Sequence, residues 1–236
     1  MPPDWRPAAE GLVSDVQHIF DARLRSVIAY GPAVDGVPDA PVACLVLVDD
    51  LRLEDLEHCA ARWRVWREAG LATPLVLPAE EFGQSLDVFP LEYGEIIRAH
   101  ERVHGPDPFD ALQIDAHDLR RACEQQAKSH LLHLRERYME SAGRLGALSH
   151  LVAESAPAFG ALLRNVARLG GVVTRDRDEA TQAGARLAGL EPGLVSSILR
   201  VDEPGGLASS DPARLFPDYL AAMERLAHVV NAWSES

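Results

Sequence analysis

Residues 26–50, SVIAYGPAVDGVPDAPVACLVLVDD, decide how the rest of the chain is read. Val27, Ile28, Ala29 and Tyr30 form a short β-branched and aromatic run that ends at Gly31, a natural turn residue. A loop rich in Gly, Pro and Asp follows, and then Val42 to Val48, a continuous apolar run of strand length. Two buried strands joined by a loop of this kind predict a hairpin at the centre of a small sheet. The loop has one further property. Pro32 follows Gly31, and Pro41 and Ala43 open the second strand, so the turn end of the hairpin carries no hydroxyl or carboxylate there.

Outward from the hairpin, the pattern alternates between helix and strand. Leu12, Val16, Ile19, Phe20 and Leu24 share one face of a helix expected over residues 8–25. Leu53 to Ala69 is a second amphipathic helix, with Leu53, Leu56, Ala60, Trp63 and Trp66 or Arg67 on its stripe and Gly70 as its stop. Trp63 and Trp66 are expected at the core and rim of that helix. Thr73 to Leu77 reads as a short strand, Ala79 to Ser85 as one or two helical turns, and Val88 to Ile97 as a segment broken at Pro90 and Gly94. The order predicts a small mixed sheet layered with helices.

Gly105-Pro106-Asp107-Pro108 is the clearest turn cluster, and beyond it the strand signal fades. A long helix is expected from Asp115, as N-cap, to about Ser141, on the spacing of Leu119, Cys123, Ala127, Leu131, Leu134 and Tyr138. Further helices are expected over residues 145–153, 157–169, 176–187, 193–200 and 212–233, with Pro157, Pro192 and Pro212 near their starts. The fold class is therefore α/β (α+β): a mixed-sheet domain over residues 1–110 and an α-helical bundle over residues 111–236.

Composition narrows the function. An apolar fraction of 47% with 25% charged residues is that of an ordinary globular chain. The net charge of −13 argues against non-specific nucleic-acid binding, which needs clustered cations. Lys128 is the only lysine. Cys44, Cys59 and Cys123 are odd in number and widely spaced, so neither a disulfide framework nor a zinc knuckle is indicated. No apolar run approaches a membrane span and no leader pattern is present, so the expectation is a cytoplasmic protein with no membrane partner. Of the nine histidines, His100 with His104 and His130 with His133 are the closest groupings; the first reads HERVH, an HExxH match by letter, but Gly105-Pro106 follows at once and would end the helix that such a site needs, and no metal site is assigned. Ser155, Ser196 and Ser197 lack a Gly-x-Ser-x-Gly setting.

The hairpin of residues 26–50 resembles the active-site hairpin of the nucleotidyltransferase superfamily, the polymerase-beta-like palm. The likeness extends through LVLVDDLRLEDL (residues 45–56), SLDVFPLE (85–92), HGPDPF (104–109) and the Cys123, Glu124, Lys128 pattern, over about residues 10–140. A group of bacterial nucleotidyltransferase-domain proteins shows these pieces in this order. The resemblance implies a palm followed by a helical domain that closes over the cleft. Active members transfer a nucleoside monophosphate from a triphosphate, using Mg²⁺ held by paired strand carboxylates and a Gly-Ser turn that meets the phosphates.

Carried over by position, Gly31 matches the turn glycine, Pro32 replaces the serine, and Pro41 and Ala43 replace the paired acids. The strand that would supply a third carboxylate, Thr73 to Leu77, has no acid. Asp49 and Asp50 are adjacent, so on a strand they face opposite ways, and Asp35 and Asp39 lie on the loop. The resemblance thus implies a catalytically degenerate protein acting as a binding, regulatory or assembly module. Tyr30, Gly31, Asp49, Arg120, Glu124 and Lys128 are its candidate cleft residues. No cofactor is expected, with Mg²⁺ and a nucleoside triphosphate entering only with residual activity. The alternatives are an active or composite-site nucleotidyltransferase and an antitoxin-like partner protein; a homo-oligomer or a protein partner is compatible with each.

Overall fold

The computed structural model describes residues 4–110, 112–201 and 212–233. It divides into two compact units, Met1–Asp115 and Ala116–Ser236.

In the first unit, β1 (Leu24–Tyr30) and β2 (Ala43–Val48) are the central antiparallel pair of a four-stranded sheet. β3 (Leu75–Pro78) runs parallel to β2 on one edge, and β4 (His100–His104) runs antiparallel to β1 on the other, giving the order β3-β2-β1-β4. Side chains alternate between the two faces, as the pleat requires. Val27, Ala29, Cys44, Val46 and Val48 face α1 (Arg6–Phe20) and α2 (Leu53–Glu68), where Ala9, Leu12, Val16, Phe20, Cys59 and Trp66 complete a buried layer. Ile28, Leu45 and Leu47 face the other way, against Leu77, Phe82, Tyr93, Ile96 and Phe109. α3 (Ala79–Gln84) and α4 (Pro90–Arg98) supply Phe82, Tyr93 and Ile96 to that second layer.

Four details of this unit depart from the periodicity. On α2 the buried residues are Asp55, Cys59 and Trp66, while Leu53, Leu56 and Ala60, expected on the packed stripe, are exposed. α1 ends at Phe20, and Leu24 already belongs to β1, because a 3-10 turn over Asp21–Arg23 redirects the chain. Pro90 and Gly94, expected to break the segment, both lie inside α4: Pro90 takes its first turn and Gly94 is buried. β4 was not foreseen at all: HERVH is a polar edge strand with half-buried residues, and nothing in its composition marks it as sheet.

Two of the motifs that carried the resemblance turn out to be fastenings. At the start of α2, Arg23 makes a two-pronged bond to the buried Asp55 (2.7 Å on each nitrogen), and the Arg52 amide donates to the same carboxylate at 3.0 Å. Asp50 faces Arg23 at 3.6 Å and Arg52 at 2.7 Å, while Asp49 pairs with Arg25. The Arg23 hydrogen bond, offset in part by burial, holds the Asp55 carboxyl down at about 2. In the turn after β4, Ser26 donates to the Pro106 carbonyl (2.6 Å), and Asp107 accepts from the Phe109 amide (2.9 Å). Gly105 adopts φ +74°, and a Cβ there would stand 2.0 Å from the Arg25 carbonyl oxygen; no other residue fits.

The second unit is helical: α5 (Ala116–Ser141), α6 (Leu145–Leu169), α7 (Arg177–Leu187), α8 (Pro192–Leu199) and α9 (Pro212–Asn231). Two helices were expected on either side of Pro157, and the structure has one. α6 runs straight through it, because Leu148, Leu151, Val152, Ala156, Phe159, Leu162, Leu163 and Val166 bury a continuous stripe on both sides of the proline. The packing outweighs the one backbone bond that proline removes. α6 and α7 approach closely at Gly184, where a Cβ would lie 1.9 Å from the Leu163 carbonyl oxygen. His130 is partly buried between α5 and α9, with Nε2 2.7 Å from the Tyr219 hydroxyl, and burial pushes its imidazole down to about 4. Among the described residues no helix is long and apolar enough to cross a membrane.

Candidate functional site

The turn end of the β1–β2 hairpin is where the candidate chemistry converges. Tyr30 is paired with Ala43 on one side and His100 on the other, so three strands present these residues side by side. Tyr30 packs on the Ile28 layer, and His100 packs edge-on against Phe109 of the same layer (4.6 Å between centroids). Ala43, two residues before Leu45, faces that way too. Gly31 follows at φ +86°, and a Cβ built on it would stand 3.8 Å from the Ala43 Cβ. The glycine turn and the start of β2 are therefore direct neighbours.

The loop after Gly31 closes on itself. The Gly31 carbonyl accepts from the Val34 and Asp35 amides (3.0 and 3.1 Å), and the Pro32 carbonyl accepts from Val37 (2.9 Å). Pro32 has no N–H to offer. Asp35 then pairs with Arg98 of α4 at 2.8 Å, with side-chain exposures of only 3% and 10%, so this ion pair locks the loop to the helix. Pro32 and Pro41 are both exposed, and Val42 beside Pro41 forms a bridge to Leu71.

Polar groups around the row are already engaged. His100 directs Nε2 to the Asp107 carboxylate (2.9 Å) and Nδ1 to the Ile96 and Ile97 carbonyls (3.1 and 3.2 Å). Burial works to raise the Asp107 carboxyl, but the bonds from His100 and the Phe109 amide, with the charges of His100 and Arg102, bring it below its ordinary range. Burial pushes the Tyr30 phenol up, with the neighbouring Cys44 and Tyr93 acting the same way. The Cys44 thiol is pushed up to about 12 by burial, which suits a core residue and not a nucleophile.

The sequence-derived candidates thus separate into three places. Tyr30, Gly31, Pro32, Pro41 and Ala43 are gathered at the turn end. Asp49 is not with them: it lies beyond the opposite end of β2, six residues or roughly 20 Å from Ala43, in its pair with Arg25. Arg120, Glu124 and Lys128 follow one another along α5 in the helical unit. Arg120 meets Glu124 at 2.9 Å, Lys128 meets its other oxygen, and Lys128 also donates to Asn231 of α9 at 3.1 Å. The bonds from Lys128 and then Arg120 hold the Glu124 carboxyl below its ordinary range. Cys123, beside them in sequence, is buried core. Two pairs escaped the sequence reading: Asp35–Arg98 and His100–Asp107. The second left a trace in Asp-Pro-Phe, where an aspartate caps the amide two residues on.

A four-stranded mixed sheet with this hairpin, followed by a helical unit, defines a nucleotidyltransferase-like fold. The chain is similar to the crystal structure of a spectinomycin adenyltransferase from Enterococcus faecialis, solved with ATP and spectinomycin: 14% identity, 93% of this chain and 98% of that one covered, TM-score 0.59. At that identity the likeness is one of fold. No protein-family profile matches the chain. No curated protein matches it either.

Proposed function

We propose that this chain is a catalytically degenerate nucleotidyltransferase-like protein, acting as a binding, regulatory or assembly module. The observation that carries the reading is the Gly31–Ala43 contact. A metal-dependent palm needs oxygen ligands for Mg²⁺ beside the glycine turn. Here the side chain against the turn is a methyl group, the residue after the glycine is a proline, and the position two before Ala43 is Pro41. The nearby carboxylates Asp35 and Asp107 serve Arg98 and His100, and Asp49 belongs to the far end of the strand. With no acid on the β1–β2 hairpin at the turn, the paired carboxylates that would anchor the ions clamping a triphosphate are missing; Glu101 of β4, opposite Ala29, is a single strand acid and does not make the pair.

Titration calorimetry with ATP, GTP, CTP and UTP, each with and without Mg²⁺, tests this directly. The expected result is no Mg²⁺-dependent heat for any nucleotide. A micromolar affinity that requires Mg²⁺ overturns the proposal. Restoring the ligands gives a positive control: the triple variant Pro32→Ser, Pro41→Asp, Ala43→Asp is expected to gain Mg²⁺ binding that the parent chain lacks.

A further inference from the structure

The turn between α3 and α4 lies in a stretch that carries acids and no cation. From Ala69 to Ile97 the chain carries five acidic residues (Glu80, Glu81, Asp87, Glu92 and Glu95) and no Arg, Lys or His. Within that stretch, Val88 and Phe89 are exposed, at 62% and 47%. Phe20, Phe82, Phe109, Phe159 and Phe216 are all buried, so Phe89 is the one phenylalanine left in solvent.

The exposure is not that of a loose loop. The Ser85 carbonyl accepts from both the Val88 and Phe89 amides (3.1 and 3.0 Å), and the Phe89 carbonyl accepts from Tyr93 (3.1 Å) as α4 begins at Pro90. Tyr93 meets the Phe89 ring edge-on at 6.0 Å, meets Phe82 edge-on at 4.7 Å, and shares a hydrogen bond with the Ser85 hydroxyl at 3.0 Å. The backbone and the ring are therefore both set before any contact is made. A pre-ordered aromatic side chain that projects into water is the usual form of an interface anchor.

Charge then selects the partner. Asp87 adjoins Val88, Glu92 lies one helical turn beyond Phe89, and Glu80 and Glu81 are exposed on α3. Glu80, Glu81 and Glu92 also suit the first turns of their helices, which accounts for their presence but not for the exposed Val88 and Phe89. We infer that the Val88–Phe89 turn is a docking knob for a basic protein partner, one whose surface offers an apolar pocket edged by Arg or Lys side chains. Phe89 and Val88 fill the pocket, and the acids face its rim, where they set orientation and association rate. The inference stands whether or not the palm binds a nucleotide.

The test is a random peptide library selected against the intact chain, with individual peptides then measured by fluorescence anisotropy at low and high salt. Enriched peptides are expected to combine Arg or Lys with a Leu, Ile or Phe anchor. Phe89→Ser is expected to weaken them by about tenfold or more, and Asp87→Asn with Glu92→Gln to weaken them and flatten their salt dependence. Both variants alter exposed side chains and should melt with the parent. Failure to enrich any such peptide overturns the inference, as does binding that Phe89→Ser leaves unchanged. Sedimentation closes the remaining route: a concentration-dependent dimer abolished by Phe89→Ser would assign the knob to a second copy and overturn the basic-partner reading.

Discussion

Replacing Asp55 with Asn removes one charge from the Arg23 fastening and little else. The amide keeps the shape, can still accept from the Arg52 N–H, and leaves Arg23 with the more distant Asp50. The magnitude follows from the carboxyl's depressed value. Moving from 3.8 in the unfolded chain to about 2 in the fold is a difference of about 1.8 units, or roughly 2.5 kcal/mol by linkage. The side chain is only 6% exposed, so solvent screening does not erase the figure. The sign is fixed by which state binds more protons. Between about 2 and 3.8 the unfolded chain does, so the contribution is fully present above pH 4 and is lost as pH falls toward 2. Urea denaturation followed by tryptophan fluorescence in a Trp233→Phe background, which leaves Trp5, Trp63 and Trp66, reads the first unit. Asp55→Asn is expected to lower its midpoint by about 1–2 M at pH 7, with the gap to the parent shrinking to about a third by pH 2.5. A variant within about 0.5 kcal/mol of the parent at pH 7, or a gap that does not change with pH, would refute the view that these acids are structural.

Gly184→Ala should destabilise the helical unit by about 1–3 kcal/mol, because α6 and α7 must separate to admit a methyl group against the Leu163 carbonyl; thermal melts report it. Gly105→Ala should act in the same direction on the sheet unit, where the obstacle is the Arg25 carbonyl and the φ of +74° adds strain; hydrogen exchange of the β1 and β4 amides should rise. The stability of the helical unit should fall as pH drops from about 6.5 to about 4, since the unfolded chain protonates His130 over that range and the fold does not. His130→Gln should flatten that part of the pH profile, as measured by denaturant midpoints.

The hairpin was legible because apolar runs of strand length on both sides of a glycine turn leave few other structures. The helical second half was legible for a similar reason, through three- and four-residue spacing. What escaped the sequence was decided by tertiary contact. HERVH became a strand because β1 offered an open edge, and α6 passed through Pro157 because the buried stripe continued on both sides. At the site, the replacement of the strand acids could be read from Pro32, Pro41 and Ala43, and their gathering around Gly31 depends only on strand register. Asp49, named with the cleft residues, lies at the far end of β2, a placement that the order of a hairpin dictates once Val42 to Val48 is read as one strand leaving the turn. The His100–Asp107 and Asp35–Arg98 pairs join residues 7 and 63 apart, a match that no local pattern encodes.

Lys128 sits on α5 with its Nζ held by Glu124 and Asn231, and it carries the only side-chain amine in the protein. All other fixed positive charge is arginine, which amine-directed reagents leave untouched. A fluorophore or crosslinker aimed at amines thereby has one side-chain target, at a known point on one helix, with the α-amino group as the competing site. Trp5, Trp63 and Trp66 lie in the other unit and Trp233 in this one, so a single Trp233→Phe change gives the two halves separate optical handles.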